Sequence, residues 1–479
     1  MSALAEAIRQ GRPRTDLGGR SPFAGLRRRH VHTVDVVAQS VAATAPAGVL
    51  LIHPGALYAR SGSFAFFDIA ATITLVVGVA LVIGMFARRV ASTGSLYTFA
   101  ARGLGAHVGL VAGSALGIGY LAIAMNTLSS GSSRVVQLLM ATDEPPGWAV
   151  AIVMLAFGTV IAIVIARGLR MSTRMLLVVE SFAVLTVLGL SIAALSATSW
   201  DLGLLVPDPS HASIDAIMTG VAFSLIGFVG FESGVALGPE TRRPFAAVPR
   251  AILVSVGATG LVMLVGTAAQ LSIVAETSGE ASLASVTGLA GLVDLIVAIS
   301  FLACALAMTN AATRLAFAMS REGVLPALFG RASRRGVPAI GGVALAAFVV
   351  AVPVIVYALG GSRQDLRMVT SPASTVGFVL AYTLVCLAAP VFLARIGELT
   401  ARAALLAALP LAGLVAVLAF FVVSTAGANP AGLWWALAIL GAVVTAGGVR
   451  LARHPGLASR VGMHDSPVDA DCIEPAEGR

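Results

Sequence analysis

The sequence predicts an all-α polytopic membrane protein with about twelve transmembrane helices, two of them discontinuous. The mean hydropathy is +0.94, 58% of the residues are hydrophobic, and only 11% are charged. A soluble domain carries about 25% charged residues, so most of this chain is expected to lie in lipid. Its 479 residues accommodate about a dozen spans of about 20 residues each with short loops.

Apolar runs define the candidate spans in chain order. Each run is long enough to cross the hydrocarbon core as a helix, and polar stretches or stretches with glycine and proline separate neighbouring runs. The candidates are 34–54, 66–86, 106–128, 147–166, 175–197, 214–237, 250–274, 286–318, 339–359, 371–394, 403–424 and 433–449.

The first and sixth spans each carry a helix-weakening motif near the centre. Residues 44–48 read Thr-Ala-Pro-Ala-Gly, and residues 227–230 read Gly-Phe-Val-Gly. Pro46 removes a backbone donor, and the glycines lower the cost of leaving helical geometry. Irregular backbone inside a membrane persists only where protein or a water-filled cavity satisfies its polar groups. A matching pair of interrupted spans in two halves of a chain therefore points to a transporter's substrate site.

The basic residues indicate topology rather than nucleic-acid binding. All 31 basic residues are arginine; seven lie in residues 1–33, fifteen in loops after even-numbered spans when Arg250 at the start of the seventh span is included, and four in loops after odd-numbered spans. This bias predicts a multi-pass protein of the plasma (inner) membrane with both termini in the cytoplasm. The polar, proline-containing end of the chain, within 450–479, is expected to be a disordered cytoplasmic tail.

Neither cysteine nor histidine spacing suggests an enzyme. Cys304, Cys386 and Cys472 are far apart, and the seven histidines lie in tails, loops or span ends. A metal site would need a cluster of such ligands. We therefore expect no metal, no cofactor and no catalytic residue. An ion channel is disfavoured because its rings of polar or acidic groups are not evident.

Four blocks carry a family resemblance. They are 92–105 (STGSLYTFAARGLG), 227–250 (GFVGFESGVALGPETRRPFAAVPR), 309–326 (TNAATRLAFAMSREGVLP) and 375–395 (TVGFVLAYTLVCLAAPVFLAR). In this order and on these spans they resemble the amino acid–polyamine–organocation permeases. The resemblance implies a five-plus-five inverted repeat of the LeuT type, with discontinuous helices 1 and 6. Its halves would be 34–197 and 214–394, with 403–449 added at the periphery.

The resemblance also places the substrate site at the two breaks. A half-helix N-terminus offers N–H groups to a carboxylate, and a half-helix C-terminus offers carbonyls to an ammonium group or cation. The candidate binding residues are Ser40, Thr44, Ala45, Ala47 and Gly48 in the first span, Tyr120 in the third, and Ile226, Gly227, Phe228, Val229 and Gly230 in the sixth. Many amino acid members carry a Gly-Ser-Gly-Ile-Phe-like stretch where this chain has residues 44–49, Thr-Ala-Pro-Ala-Gly-Val. The mostly apolar pocket favours a neutral, apolar substrate over a dibasic one.

Two glutamates are candidates for coupling and gating. Glu180 lies in the fifth span, where some proton-coupled family members have a lysine; it either takes a proton in a desolvated site or extends to the membrane surface near Arg174. Glu232 follows the second break, and a structural or gating bond to freed N–H groups is favoured over proton carriage. A co-transported proton is expected rather than sodium. Sodium coupling needs a cluster of oxygen ligands between the first and eighth spans, and Thr309 alone does not form one.

The predicted function is secondary active transport of amino acids or closely related small molecules, proton-coupled, by alternating access. The alternative within transporters is a polyamine or organic-amine permease or exchanger. An alternative of another class is a substrate sensor that does not transport. The expected partners are a small-molecule substrate and the lipid bilayer, not nucleic acid, and the oligomeric state is left open.

Overall fold

A computed structural model describes Phe23 and residues 25–197, 205–208, 213–276 and 288–465. The helices in these ranges are α1 (Thr33–Thr44), α2 (Pro46–Ser61), α3 (Ala65–Ala87), α4 (Leu96–Leu104), α5 (Ala106–Met140), α6 (Gly147–Arg167), α7 (Leu169–Ala197), α8 (Ile214–Ile226), α9 (Pro244–Glu276), α10 (Ala290–Arg321), α11 (Ala339–Ala358), α12 (Arg363–Arg395), α13 (Ala401–Ala428) and α14 (Pro430–Arg453). Short 3-10 helices occupy Gly62–Phe64, Phe231–Glu240 and Pro455–Leu457. The second of these is called the 3-10 segment below.

The prediction of an all-helical, multi-pass membrane protein is confirmed for the described residues. Ten of their helical stretches are long and apolar enough to span a membrane. The first stretch, Thr33–Ala87, is 55 residues long and contains the first two predicted spans. The fifth predicted span contains a shorter apolar helix, Leu177–Ala193, within α7.

The first interruption falls inside the predicted motif, at Ala45. This residue separates α1 from α2 and adopts the left-handed conformation, with φ 46° and ψ 55°. Such a conformation is uncommon for a residue with a side chain. Its N–H donates back to the carbonyls of Val41 and Ala42, which ends α1. Pro46 then opens α2 at a position where a missing N–H breaks no helical hydrogen bond.

The second interruption separates α8 from the 3-10 segment. Gly230 ends the turn with φ +102°, a conformation that glycine adopts without steric cost. The second half of this predicted span is a 3-10 helix rather than an α-helix. Gly234, Gly238 and Pro239 explain this difference, because glycine and proline are the weakest α-helix formers.

Small residues bring the central helices close together. Helix α5 packs along α10 and α12, α9 packs on α3, and α6 packs on α11. A Cβ atom on Gly377 of α12 would lie 2.5 Å from the carbonyl oxygen of Ala115 in α5. At the other extreme, Trp434 and Trp435 at the start of α14 are 67% and 62% exposed, as expected for aromatic residues in contact with lipid.

The arginine-containing connections meet at one end of the bundle, which we call the arginine-rich end. The N–H of His30 donates to the carbonyl of Glu240 over 2.9 Å. The side chain of Arg395 donates to the carbonyl of Arg102 over 3.2 Å. The loops that follow even-numbered predicted spans therefore lie together, and the end of the predicted N-terminal tail, 1–33, lies next to them. Most of that tail is outside the described residues.

The chain folds back onto the arginine-rich end after α14. The N–H of Gly462 donates to the Glu322 carboxylate over 3.1 Å, and the N–H of Asp465 donates to the carbonyl of Ala91 over 2.9 Å. The tail predicted to be disordered over 450–479 thus has defined contacts up to Asp465, because the Glu322 carboxylate after α10 and the Ala91 carbonyl after α3 accept hydrogen bonds from it. The rest of that tail lies outside the described residues.

Candidate functional site

At the first break, a buried carboxylate accepts hydrogen bonds from the backbone and from a serine. Glu180 of α7 is fully buried, and its Oε1 accepts hydrogen bonds from the N–H of Ala47 over 3.2 Å and from the Ser300 hydroxyl over 2.9 Å. The same hydroxyl accepts from the N–H of Gly48 over 3.1 Å. The interfacial alternative for Glu180 requires exposure at the membrane surface, which this burial does not provide. The side chain of Arg174 lies outside the described residues.

The polar side chains of α1 contact protein on several sides. The Thr44 hydroxyl donates to the carbonyl of Val41 over 2.8 Å and lies 3.4 Å from the Thr259 hydroxyl of α9. Ser40 is fully buried beside the 3-10 segment, and a Cβ atom on Gly234 would lie 2.5 Å from its hydroxyl. These two predicted contact residues therefore connect α1 to its neighbours in this structure.

At the second break, another buried carboxylate accepts hydrogen bonds from the backbone and from a tyrosine. Glu232 Oε2 accepts hydrogen bonds from the N–H of Gly230 over 3.1 Å and from the Tyr382 hydroxyl over 2.5 Å. The Tyr382 ring continues into an aromatic row, with centroids 6.1 Å from Phe378, whose own centroid lies 5.4 Å from that of Tyr120. Tyr120, predicted near the pocket, is thereby connected to the second break through Phe378 and Tyr382.

The fold brings the two breaks side by side. A Cβ atom on Gly230 would lie 3.0 Å from the Cβ atom of Ala43, and one on Gly227 would lie 2.9 Å from the Val49 side chain. The other predicted residues of the turn are Phe228 and Val229, which are buried, and Ile226, which is partly buried. Two segments about 180 residues apart in sequence thus form one locus at the centre of the bundle.

A polar network lies between this locus and the arginine-rich end. The Gln39 amide donates to the carbonyl of Ala307 over 2.8 Å and accepts from the Asn310 amide over 2.9 Å. The Ser233 hydroxyl donates to the Gln39 carbonyl over 3.3 Å. The network joins α1, α10 and the 3-10 segment by hydrogen bonds. Sequence reasoning missed Gln39, although an amide inside a predicted span indicates interhelical hydrogen bonding.

Ser300 and Arg314 were also missed. Ser300 joins Glu180 to α2, and nothing in its local sequence distinguishes it from other serines in spans. Arg314 is 2% exposed and pairs with Glu240 over 2.8 Å. It is the only arginine in the interior of a predicted span, and an intramembrane charge is a functional candidate by default, so this signal was available.

The chemistry available at the locus is limited to a few groups. Each break presents N–H donors and the positive end of a helix, and each has a carboxylate already bound to some of those donors. Apolar and aromatic side chains surround them. Such an arrangement suits recognition of a small ligand and exchange of a proton.

The fold is that of a multi-pass membrane protein, and its central locus is of the kind that forms the substrate site in many transporters. The family model for amino acid permeases matches residues 35–446, which is most of the chain. The chain therefore belongs to the amino acid permease family, within the superfamily that the four sequence blocks resemble.

Curated relatives carry transporter names. The chain is 26% identical over 283 residues to a branched-chain amino acid permease of Lactococcus lactis subsp. cremoris, covering 52% of this chain and 59% of that protein. It is 25% identical over 331 residues to a branched-chain amino acid permease of Bacillus subtilis, covering 62% and 68%. It is 25% identical over 275 residues to a methylthioribose transporter of Bacillus subtilis, covering 51% and 57%. The match thus spans less than two thirds of the first and third of these relatives.

Proposed function

We propose that this protein is a secondary active transporter of amino acids or closely related small molecules across the plasma (inner) membrane. It works by alternating access and couples uptake to protons. Twelve spans form it, with 34–197 and 214–394 as inverted halves and both termini in the cytoplasm. The clustering of arginine-containing loops at one end of the bundle supports this orientation.

The observation that carries the proposal is the adjacency of the two breaks. Gly230 and Ala43 belong to different halves of the chain, and their backbones approach closely enough that a Cβ atom on Gly230 would lie 3.0 Å from the Ala43 carbonyl oxygen. Discontinuous helices that meet near the middle of a bundle form the substrate sites of many transporters. In this proposal, the polar network between the breaks and the arginine-rich end acts as the inner gate.

A neutral amino acid with an apolar side chain is the proposed substrate. The buried aromatic residues Phe228, Phe378 and Tyr120 near the second break favour apolar contact over charge recognition. The branched-chain names of two relatives agree with this choice, and L-leucine is the natural first probe.

Glu180 is the proposed proton carrier. It is buried at the first break, and within the described residues its Oε2 has no hydrogen-bond partner. The second oxygen can take a proton without breaking a hydrogen bond. Protonation and release can therefore accompany the motion of α7 and α10 past α2, and each charge moved down 100 mV contributes about 2.3 kcal/mol to uptake.

An organic amine is the second candidate substrate. The specific observation in its favour is that both breaks have a carboxylate, Glu180 and Glu232, to which an ammonium group could pair. Competition between L-leucine and putrescine for the purified protein distinguishes the two candidates.

The test is uptake of labelled L-leucine into proteoliposomes under an imposed pH gradient, with and without sodium. Uptake driven by the pH gradient is expected, and Glu180→Gln should abolish the drive while exchange at equilibrium persists. Uptake that requires sodium and ignores the pH gradient would refute proton coupling. Leucine binding without counterflow would identify a sensor instead of a transporter.

A further inference from the structure

The N–H donors that begin α2 are already occupied by protein. Pro46 has no N–H, the N–H of Ala47 donates to Glu180, and the N–H of Gly48 donates to the Ser300 hydroxyl. That hydroxyl in turn donates to the same oxygen of Glu180. A substrate carboxylate that approached this half-helix N-terminus would find its donors taken by the carboxylate of Glu180 or by its bridging serine.

Glu180 holds these donors with one oxygen only. Its side chain is fully buried, Oε1 accepts both hydrogen bonds, and Oε2 has no partner in the described part of the chain. An ionised carboxylate taken out of water requires compensation by donors or a cation, so the anion depends on the N–H of Ala47 and the hydroxyl of Ser300. The neutral acid needs neither of them.

The Cys304 thiol of α10 also lies beside the first break. It donates to the carbonyl of Ala43 over 3.0 Å and carries no compensating positive charge. The charged side chains of α10 have other partners, since Arg314 pairs with Glu240 and Asp294 pairs with Arg134.

On the other neighbouring helices, the following charged and titratable groups of the described residues are also engaged away from Glu180 or exposed. His53 of α2 bonds to the carbonyl of Phe223, and Asp35 of α1 accepts from the N–H of His32 at the start of its own helix. Arg167 of α6 and Arg250 of α9 are exposed at helix ends. Among the described residues, Glu180 therefore contacts the α2 N-terminus and Ser300 and forms no ion pair with a cation.

We propose that Glu180 is an internal competitor for the substrate's carboxylate. While it is ionised, it occupies the donors at the start of α2; once protonated, it releases them to the amino acid. The proton therefore binds before the substrate, and substrates that carry a carboxylate require that protonation. This inference rests on the proposed function, because it needs a ligand that binds at the first break.

The experiment compares two ligands that differ only in the carboxylate. Binding of L-leucine and of 3-methylbutylamine to the purified full-length protein is measured by calorimetry between pH 5.5 and 8.5. The Kd of leucine for the wild type should rise with pH, approaching about tenfold per pH unit once Glu180 is ionised, because the protonated fraction falls by that factor. The amine should show no such weakening.

Two substitutions at Glu180 test the proposal directly. Glu180→Ala should bind leucine at least about tenfold more tightly than the wild type at pH 8, a change of about 1.4 kcal/mol, with little dependence on pH. Glu180→Gln preserves the shape of the side chain and should likewise lose the pH dependence, which covers the case in which the alanine variant does not fold. Ser191→Ala, which removes a buried hydroxyl elsewhere on α7, is the matched control and should follow the wild type.

The outcomes separate this inference from the proposed function. Leucine binding that weakens equally with pH in the wild type and in both Glu180 variants overturns the competition. Weaker leucine binding by both Glu180 variants at every pH also overturns it, because Glu180 then assists the substrate. A protein that binds no amino acid at any pH removes the proposed function and this inference with it.

Discussion

Arg314 and Glu240 form an ion pair in the interior, with 2.8 Å between Arg314 Nη2 and Glu240 Oε1. Their side chains are 2% and 0% exposed, and His30 Nε2 lies 3.8 Å from the other carboxylate oxygen. The pair links α10 to the C-terminal end of the 3-10 segment. Together with the Gln39 network, it links α10 to α1 and the 3-10 segment on the arginine-rich side of the two breaks.

Loss of Arg314 should destabilise the fold strongly. Arg314→Met leaves Glu240 buried without its cation, and breaking a buried pair in this way costs about 3–5 kcal/mol. The measurement is the Tm of the purified protein in detergent, and the double variant Arg314→Met/Glu240→Gln should recover part of the loss. Arg89→Met is the control, because Arg89 pairs with the half-exposed Glu398 and such pairs contribute only about 0–1 kcal/mol. Equal losses in both single variants would contradict the prediction.

The glycines at the breaks should not tolerate a side chain. A Cβ atom on Gly48 would lie 2.8 Å from the Phe301 ring, and one on Gly230 would lie 2.5 Å from the Met308 methyl group. Gly48→Leu and Gly230→Leu should therefore abolish leucine binding and uptake, and the smaller Gly48→Ala change should cost about 1–3 kcal/mol of stability through overpacking.

The control for these variants is Gly55→Ala, also in α2, where nothing lies within 4 Å of the added atom. Uptake of labelled leucine is normalised to the amount of protein in the membrane. Normal transport by both leucine variants would place the substrate site elsewhere.

Local chemistry made the position of both breaks predictable. Pro46 lacks a donor, and Gly227 and Gly230 weaken the helix between them, so each break could be found from a few neighbouring residues. The 3-10 form of the segment after Gly230 was not predicted, since hydropathy alone does not distinguish a 3-10 turn from an α-helix.

Contacts between distant segments could not be read from local patterns. Asp68, close to the start of the second predicted span, is fully buried, with its carboxylate against Gly220 of α8. Asp294 pairs with Arg134 over 2.7 Å. The residue against which each carboxylate lies is more than a hundred residues away in sequence, so only the fold reveals it.

Sidedness is tested by labelling single cysteines. In a variant lacking Cys304, Cys386 and Cys472, Glu144→Cys should react with a membrane-impermeant maleimide from outside the cell, and Ser459→Cys should react only after permeabilisation. Both positions are exposed in the structure, so lack of reaction reports the membrane side and not burial. The physical reason is the arginine bias, which keeps basic loops in the cytoplasm. External labelling at position 459 would reverse the orientation.

Docking of the C-terminal segment should depend on pH through Glu322. Its carboxylate accepts from the N–H of Met463 over 2.8 Å and from the Tyr97 hydroxyl. Burial raises the pKa of Glu322 from 4.5 to about 7, and its hydrogen bonds from Tyr97, Met463 and Gly462 offset only part of this shift. When the segment undocks, water reaches the carboxyl and its pKa returns towards the ordinary value. Between pH 4.5 and about pH 7, Glu322 is therefore protonated while the segment is docked and ionised once it has undocked.

The contribution of protonated Glu322 to the stability of the docked segment is therefore complete below about pH 4.5 and is lost as pH rises through about 7. Its total size is on the order of 3 kcal/mol. Hydrogen exchange at the Gly462 and Met463 amides, corrected for the intrinsic pH dependence, should accelerate between pH 5 and pH 8. Glu322→Gln, which stays neutral, should remove the acceleration and keep both amides protected at pH 8. Amides within α10 serve as the internal control. Corrected exchange that is unchanged with pH in the wild type, or equal in the two proteins, would exclude Glu322 as the group that governs docking.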